Sequence, residues 1–164
     1  MMKILILGDT HAQDDFFLRI LEKEKDYDVL LHTGDFEGSE IVYRELSDAP
    51  LYCVAGNNDF FTDAPYERVF ELEGCRIFMT HGHRYNLEKG YKKICKAALS
   101  NKAAIAVFGP SHMPVAKYCS GVLLLNPGSP AWPRQAERKP SYIVLTLEKG
   151  RILSYEIRYL EKKV

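Results

Sequence analysis

Residues 3–11 read KILILGDTH: an apolar run closed by a glycine, then an aspartate, a threonine and a histidine. The run Ile4 to Leu7 is too short for a typical helix and shows no polar alternation, which suits a strand buried on both faces. Gly8 ends it. Side chains placed directly after such a strand emerge at its carboxyl end, the edge where open α/β sheets bind ligands. Asp9 and His11 are therefore the first candidates for chemistry.

The rest of the chain repeats this grammar. DVLLHTG (28–34), LYCVAG (51–56), CRIFMTHG (75–82) and AAIAVFG (103–109) are further short apolar runs stopped by glycine. Between them lie candidate helices. Gln13 to Lys25 carries Phe16, Phe17, Ile20, Leu21 and Glu24 on one stripe beside a charged face. Ser39 to Leu46 reads as a shorter helix with Ile41, Val42 and Leu46 inward. Asn86 is placed to cap a third, in which Leu87, Tyr91, Ile94, Cys95, Ala98 and Leu99 recur at helical spacing until Asn101. After the fifth run come strands without helices: Lys117 to Cys119, Gly121 to Leu125, Ser141 to Leu147 and Arg151 to Tyr159. Glu148, Lys149 and Gly150 make a tight hairpin between the last two. The fold class is α/β, doubly wound in its first part with antiparallel strands added at the end. The irregular loop from Pro127 to Pro140 is expected to line the site.

Bulk properties narrow the function. The chain has 164 residues, enough for one domain with a substantial core, taken as 1–164. Lys plus Arg and Asp plus Glu are equal at 22 each, so no net field draws the protein to nucleic acid or anionic lipid. No basic stripe with interleaved aromatics supports a nuclease. The N-terminal apolar run is too short for a signal sequence or a membrane span, so a cytoplasmic protein without membrane association is expected. The four cysteines Cys53, Cys75, Cys95 and Cys119 show no zinc-type spacing and read as reduced core thiols.

The endings of the five runs are more informative. They are Gly8-Asp9-Thr10-His11, Gly34-Asp35, Gly56-Asn57-Asn58-Asp59, His81-Gly82-His83 and Gly109-Pro110-Ser111-His112. One aspartate after glycine is ordinarily a turn residue, and one histidine inside a strand, such as His32, is ordinarily structural. Five such endings together are hard to obtain from turn chemistry. Gathering Asp9 and Asp35 would force one carboxylate to take a proton unless a cation stood between them. Mixed carboxylate, imidazole and amide donors suit Mn, Fe, Co, Ni or Zn. A carboxylate such as Asp35 can also bridge two ions about 3.5–4 Å apart, which activates water and clamps phosphate.

The ordered set GDTH, GDF, GNND, HGH and GPSH, with NPGS at 126–129 and Pro133-Arg134, resembles the calcineurin-like metallophosphoesterases, most closely their small single-domain bacterial and archaeal phosphodiesterases. The resemblance implies a four-layer α/β/β/α sandwich of two mixed sheets flanked by helices. It also implies hydrolysis of a small phosphodiester by a hydroxide held between two divalent ions, with manganese first among the candidates. Asp9, His11, Asp35 and His112 would hold the first ion. Asp35, Asn57 and His81 would hold the second, where Pro110 stands in place of a histidine ligand and should leave that site weaker. Asn58 replaces the histidine common in the family's Gly-Asn-His-Asp motif. Asn58 as phosphate donor, His83 as general acid and Arg134 as charge stabiliser are the catalytic candidates. A rival reading is a catalytically degenerate member that serves as a protein-binding scaffold, as the retromer subunit of this fold does. A homo-oligomer is left open.

Overall fold

Alternation along the first strand sets the layers. In the computed structural model, which describes residues 1–109, 113–129 and 139–161, strand β1 (Met2–Leu7) turns Ile4 and Ile6 into one apolar cluster and Leu5 and Leu7 into another. Successive side chains leave a strand on opposite faces, so β1 must be covered on both. Its neighbours are β2 (Val29–His32) and then β3 (Leu51–Cys53), both parallel. On the other side β9 (Ser141–Glu148) pairs antiparallel with β1, and β10 (Arg151–Tyr159) closes the edge. The order is β10-β9-β1-β2-β3.

A second five-stranded sheet faces the first. It is built from β4 (Glu67–Leu72), β5 (Cys75–Thr80), β6 (Ile105–Val107), β7 (Pro114–Cys119) and β8 (Val122–Pro127), in the order β4-β5-β6-β8-β7. Strands β5, β6 and β8 are parallel, with antiparallel β4 and β7 at the edges. The five apolar runs are thus divided three and two between the sheets. The central core between them joins Ile4, Ile6 and Leu31 to Ile77, Met79, Val107 and Leu125. Helices α1 (Asp14–Lys23) and α2 (Glu40–Leu46) cover the outside of the first sheet through Phe17, Ile20 and Tyr43. Helix α3 (Lys92–Ser100) covers the second through Ile94, Cys95 and Ala98. The result is the helix, sheet, sheet, helix layering that the resemblance implied.

Three local expectations need correction. Helix α2 buries Tyr43, whereas Ile41 and Leu46 are exposed, because the Tyr43 hydroxyl reaches inward to donate to Thr10 Oγ1 at 2.7 Å. The third helix does not begin at Asn86. That residue has a left-handed φ of 52° and no side-chain capping bond, a short 3₁₀ turn spans Leu87–Lys89, and Gly90 at φ 108° separates it from α3. Leu99 is exposed. Strand β4 is an addition to the expected strands; it joins β5 through Glu73 and Gly74, both at positive φ, the conformation that a two-residue hairpin demands. The expected hairpin at Lys149 and Gly150 uses the same geometry. All four cysteines are free. Among the described residues no helix is long and apolar enough to cross a membrane.

Candidate metal centre

Strand register delivers the side chains. Pairing of Leu7 with His32 sets Gly8-Asp9 beside Thr33-Gly34-Asp35, and pairing of His32 with Cys53 brings up Gly56. In the second sheet Met79 pairs with Val107, so His81 follows β5 beside Gly109, whose amide donates to the His81 carbonyl at 2.9 Å. The two sheets meet at these strand ends. Asp9, His11, Asp35 and Glu37 all have φ between 48° and 59°, a left-handed conformation that costs a non-glycine residue about 1–2 kcal/mol. Hydrogen bonds between the turns hold this strain: Asp9 N–H donates to Gly34 O at 3.0 Å and His11 N–H to Asp35 O at 2.8 Å.

Asp35 is held from several sides. Asn58 donates to it twice, through its backbone N–H to Oδ1 at 3.0 Å and through Nδ2 to Oδ2 at 3.1 Å. Each oxygen keeps lone-pair capacity for a further partner. The Asp35 amide in turn donates to Asp59 Oδ2 at 2.7 Å, which also accepts from Gly56 N at 2.8 Å, while Asp59 Oδ1 accepts from Glu37 N at 2.8 Å. One carboxylate thereby staples the Gly34-Asp35 turn to the Gly56-Asn58 turn. Gly56 is needed there because a Cβ would collide with Asp35 Oδ1 and lie 2.5 Å from the Asp35 nitrogen.

His81 completes the cluster. Its Nδ1 lies 2.8 Å from the Thr33 carbonyl, which can only accept, so Nδ1 carries the proton. Nε2 then presents a lone pair, 3.4 Å from Asp35 Oδ2 and 3.8 Å from Asp9 Oδ1. Ligand atoms of Asp9, Asp35 and His81 all lie within 4.8 Å of one another, and the three residues are buried. Burial lowers the His81 pKa, against the opposing pull of Asp35, so the ring tends to stay neutral. Two carboxylates and an imidazole lone pair aimed at one point repel each other without a cation. This donor set fits a divalent ion, and the bond from Nδ1 to a carbonyl is the usual way in which a metal-binding histidine is oriented.

Of the remaining candidates, His11, Asn58 and His83 lie near this point. His11 sits with Nδ1 3.4 Å from Glu37 Oε1, close enough to His81 to contribute to its lowered pKa. Asn57 is exposed, and it is its neighbour Asn58 that touches Asp35. His83 is exposed, with its ring 5.4 Å from that of His81; burial, then His81 and Arg84, lower its pKa, which favours the neutral form. His112, Pro110 and Arg134 lie outside the described residues. His32 is buried inside β2: Gly34 N–H donates to its Nδ1 at 3.1 Å, so Nε2 carries the proton towards Thr10 Oγ1 at 3.0 Å. Burial, with His81 next, holds its pKa at about 3. The stapling role of Asp59 escaped sequence reading; its only signal was its place at the end of GNND.

The domain described as the calcineurin-like phosphoesterase superfamily domain matches residues 2–150. The chain belongs to this family. A probable metallophosphoesterase of Mycoplasma pneumoniae is 33% identical over 155 residues, 93% of this chain and 94% of that protein. A phosphodiesterase of Methanocaldococcus jannaschii is 26% identical over 145 residues, 77% of this chain and 83% of that protein. Among solved structures, a predicted phosphoesterase of Streptococcus pneumoniae superposes with a TM-score of 0.79 at 25% identity, covering 97% of this chain and 88% of the other. The Zn²⁺ complex of Vps29 from Entamoeba histolytica superposes with a TM-score of 0.77 at 20% identity, covering 97% and 98%, a likeness of fold. In this calcineurin-like phosphoesterase domain, Asp9, Asp35 and His81 follow strands β1, β2 and β5 and meet between the two sheets.

Proposed function

We propose that the protein is a metal-dependent phosphodiesterase acting on small diesters. The observation that carries this reading is the convergence of Asp9, Asp35 and the His81 Nε2 lone pair on one buried point. A divalent ion held there, with His11, Asn57 and His112 completing a two-ion set, would supply Lewis-acid stabilisation of phosphoryl charge and a lowered pKa for water. Manganese is the first candidate, and the second position is the weaker because Pro110 offers no ligand. The protein's own residues do the rest. Asn58 holds both oxygens of Asp35 in place, and the Thr33 carbonyl keeps the proton off His81 Nε2. Arg134 is assigned to stabilise charge on the phosphoryl oxygens.

His83 is the candidate general acid. Burial, His81 and Arg84 lower its pKa and favour the neutral form, so leaving groups that depart as stable anions should be preferred. Hydrolysis of a chromogenic aryl diester with Mn, Ni, Co or Zn tests the reading, with Asp35→Asn as control. Turnover that rises with each ion and vanishes in the control supports it. Wild type and control that are indistinguishable with every ion refute it. In that event the likeness to the Vps29 fold favours the second reading, a protein-binding scaffold. The free cysteines support a reducing, cytoplasmic setting.

A further inference from the structure

The turn that carries Asn58 runs on into two consecutive phenylalanines that both face solvent: Phe60 is 80% and Phe61 99% exposed. A single apolar side chain on a surface needs no explanation. Two large neighbouring ones beside a functional centre do, since contiguous exposed apolar surface marks a binding site. Phe60 and Phe61 line a groove of about 350 Å³, a volume in the range of small-ligand sites, with the buried Phe36 also contributing.

The groove adjoins the metal centre. Glu37 and Asn58 both line it. Glu37 Oε1 is 3.4 Å from His11 Nδ1, and Asn58 Nδ2 is 3.1 Å from Asp35 Oδ2. The same two residues therefore bound the groove and touch candidate ligands, so a group filling it would lie next to one seated at the metal centre. The charges narrow the occupant. The ionisable lining residues are Glu37 and Asp59, and no lysine or arginine lines the groove among the described residues. A second phosphate would meet the carboxylates of Glu37 and Asp59. A flat, uncharged ring would meet the side chains of Phe60 and Phe61.

Resting on the phosphodiesterase reading, we propose that this groove is the subsite for an aromatic ester group of the substrate, an aryl ring or a nucleobase. The ring stacks on Phe60 and Phe61 while the phosphoryl group lies at Asp9, Asp35 and His81. The substrate class is a monoanionic diester whose sole negative charge is at the scissile phosphate. Stacking of a base on an aromatic side chain is sequence-tolerant, so the subsite selects rings over alkyl groups more strongly than one base over another.

Methylphosphonate and phenylphosphonate share the phosphoryl head, differ in the ring, and carry a C–P bond that a phosphodiesterase does not hydrolyse. Calorimetric titration of each into the manganese-loaded protein reads the subsite without turnover. The expected result is about tenfold tighter binding of phenylphosphonate to wild type. Phe60→Ala/Phe61→Ala should abolish that preference and leave methylphosphonate unchanged, and Phe61→Tyr should retain it. Equal affinities in wild type, or a ring preference that survives the double alanine variant, overturn the proposal. So does a wild-type dimer that the double variant converts to monomer in sedimentation while wild type shows no ring preference; the pair then serves contact between copies. Ring preference without diester turnover would sink the phosphodiesterase reading and leave the subsite standing. Turnover without ring preference would do the reverse.

Discussion

Replacing Asp59 with asparagine tests how the site is held while leaving Asp9, Asp35 and His81 in place. Asp59 accepts three backbone amides, those of Asp35 and Gly56 on Oδ2 and that of Glu37 on Oδ1. An asparagine keeps one acceptor oxygen. If that oxygen stays with Asp35 and Gly56, the new NH₂ faces the Glu37 N–H, donor against donor. Hydrogen bonds to a charged group contribute about 1.5–3 kcal/mol each, and an unsatisfied donor costs about 1–3 kcal/mol. Losing one bond and the charge on the other two gives a destabilisation of about 3 kcal/mol. Urea unfolding reads this as a fall in midpoint of about 1–2 M at unchanged slope. The two turns also lose their staple, so Asp35 at φ 59° is less well held. Manganese affinity, measured by calorimetry on the folded variant, should drop by about tenfold, as for other residues that orient a ligand. Stability within about 0.5 kcal/mol of wild type together with unchanged manganese affinity would refute the stapling role.

Other parts of the structure give further expected outcomes. Glu24, 4% exposed at its side chain, accepts from Arg158 at 2.6 Å, Tyr142 at 2.7 Å and Lys3 at 3.1 Å. Burial alone would raise its pKa, but these bonds outweigh it and bring it from 4.5 to about 2. Its folded pKa is depressed, so the stabilisation is present above about 4.5 and is lost as pH falls towards 2. With screening at the partly exposed Arg158 and Lys3, it amounts to about 2 kcal/mol at neutral pH. Urea unfolding of wild type and Glu24→Gln should therefore differ at pH 7 and converge near pH 2; a difference independent of pH would contradict this. Gly56→Ala places a Cβ against Asp35, and manganese affinity should fall at least about tenfold in a folded protein by calorimetry. Under the proposed two-ion assignment Pro110→His would add an imidazole to the second set, and manganese stoichiometry should move towards about two per chain with faster turnover. Unchanged stoichiometry and rate would count against a weakened second site.

Much of this architecture is legible in the chain because its signals are local. Glycine after each apolar run ends a strand, and Asp9, Asp35 and His81 are visible as candidates since strand ends in α/β proteins gather ligands. Features that depend on partners distant in sequence are not visible. Strand β4, ERVFEL, has a half-wetted pattern that reads as polar until β5 is beside it. Apolar content points helix α2 inward through Ile41 and Leu46, whereas the packing follows Tyr43, whose hydroxyl finds Thr10 across the layer. Glu24 lies on the apolar stripe of the first helical segment, yet it is a buried carboxylate whose partners Tyr142 and Arg158 come from the last two strands. Asp59 is the parallel case in the site. Its side chain accepts from amides on two turns, a role set by backbone geometry that residue type does not encode.

Manganese binding to wild type, Asp35→Asn and His81→Ala, titrated calorimetrically at neutral pH, tests the central claim most directly. Wild type should bind at least one ion, and each substitution should weaken that binding by about 100-fold or more while circular dichroism stays native, because each removes a donor from the convergent set. Equal stoichiometry and affinity in all three folded proteins would contradict a metal centre at Asp9, Asp35 and His81.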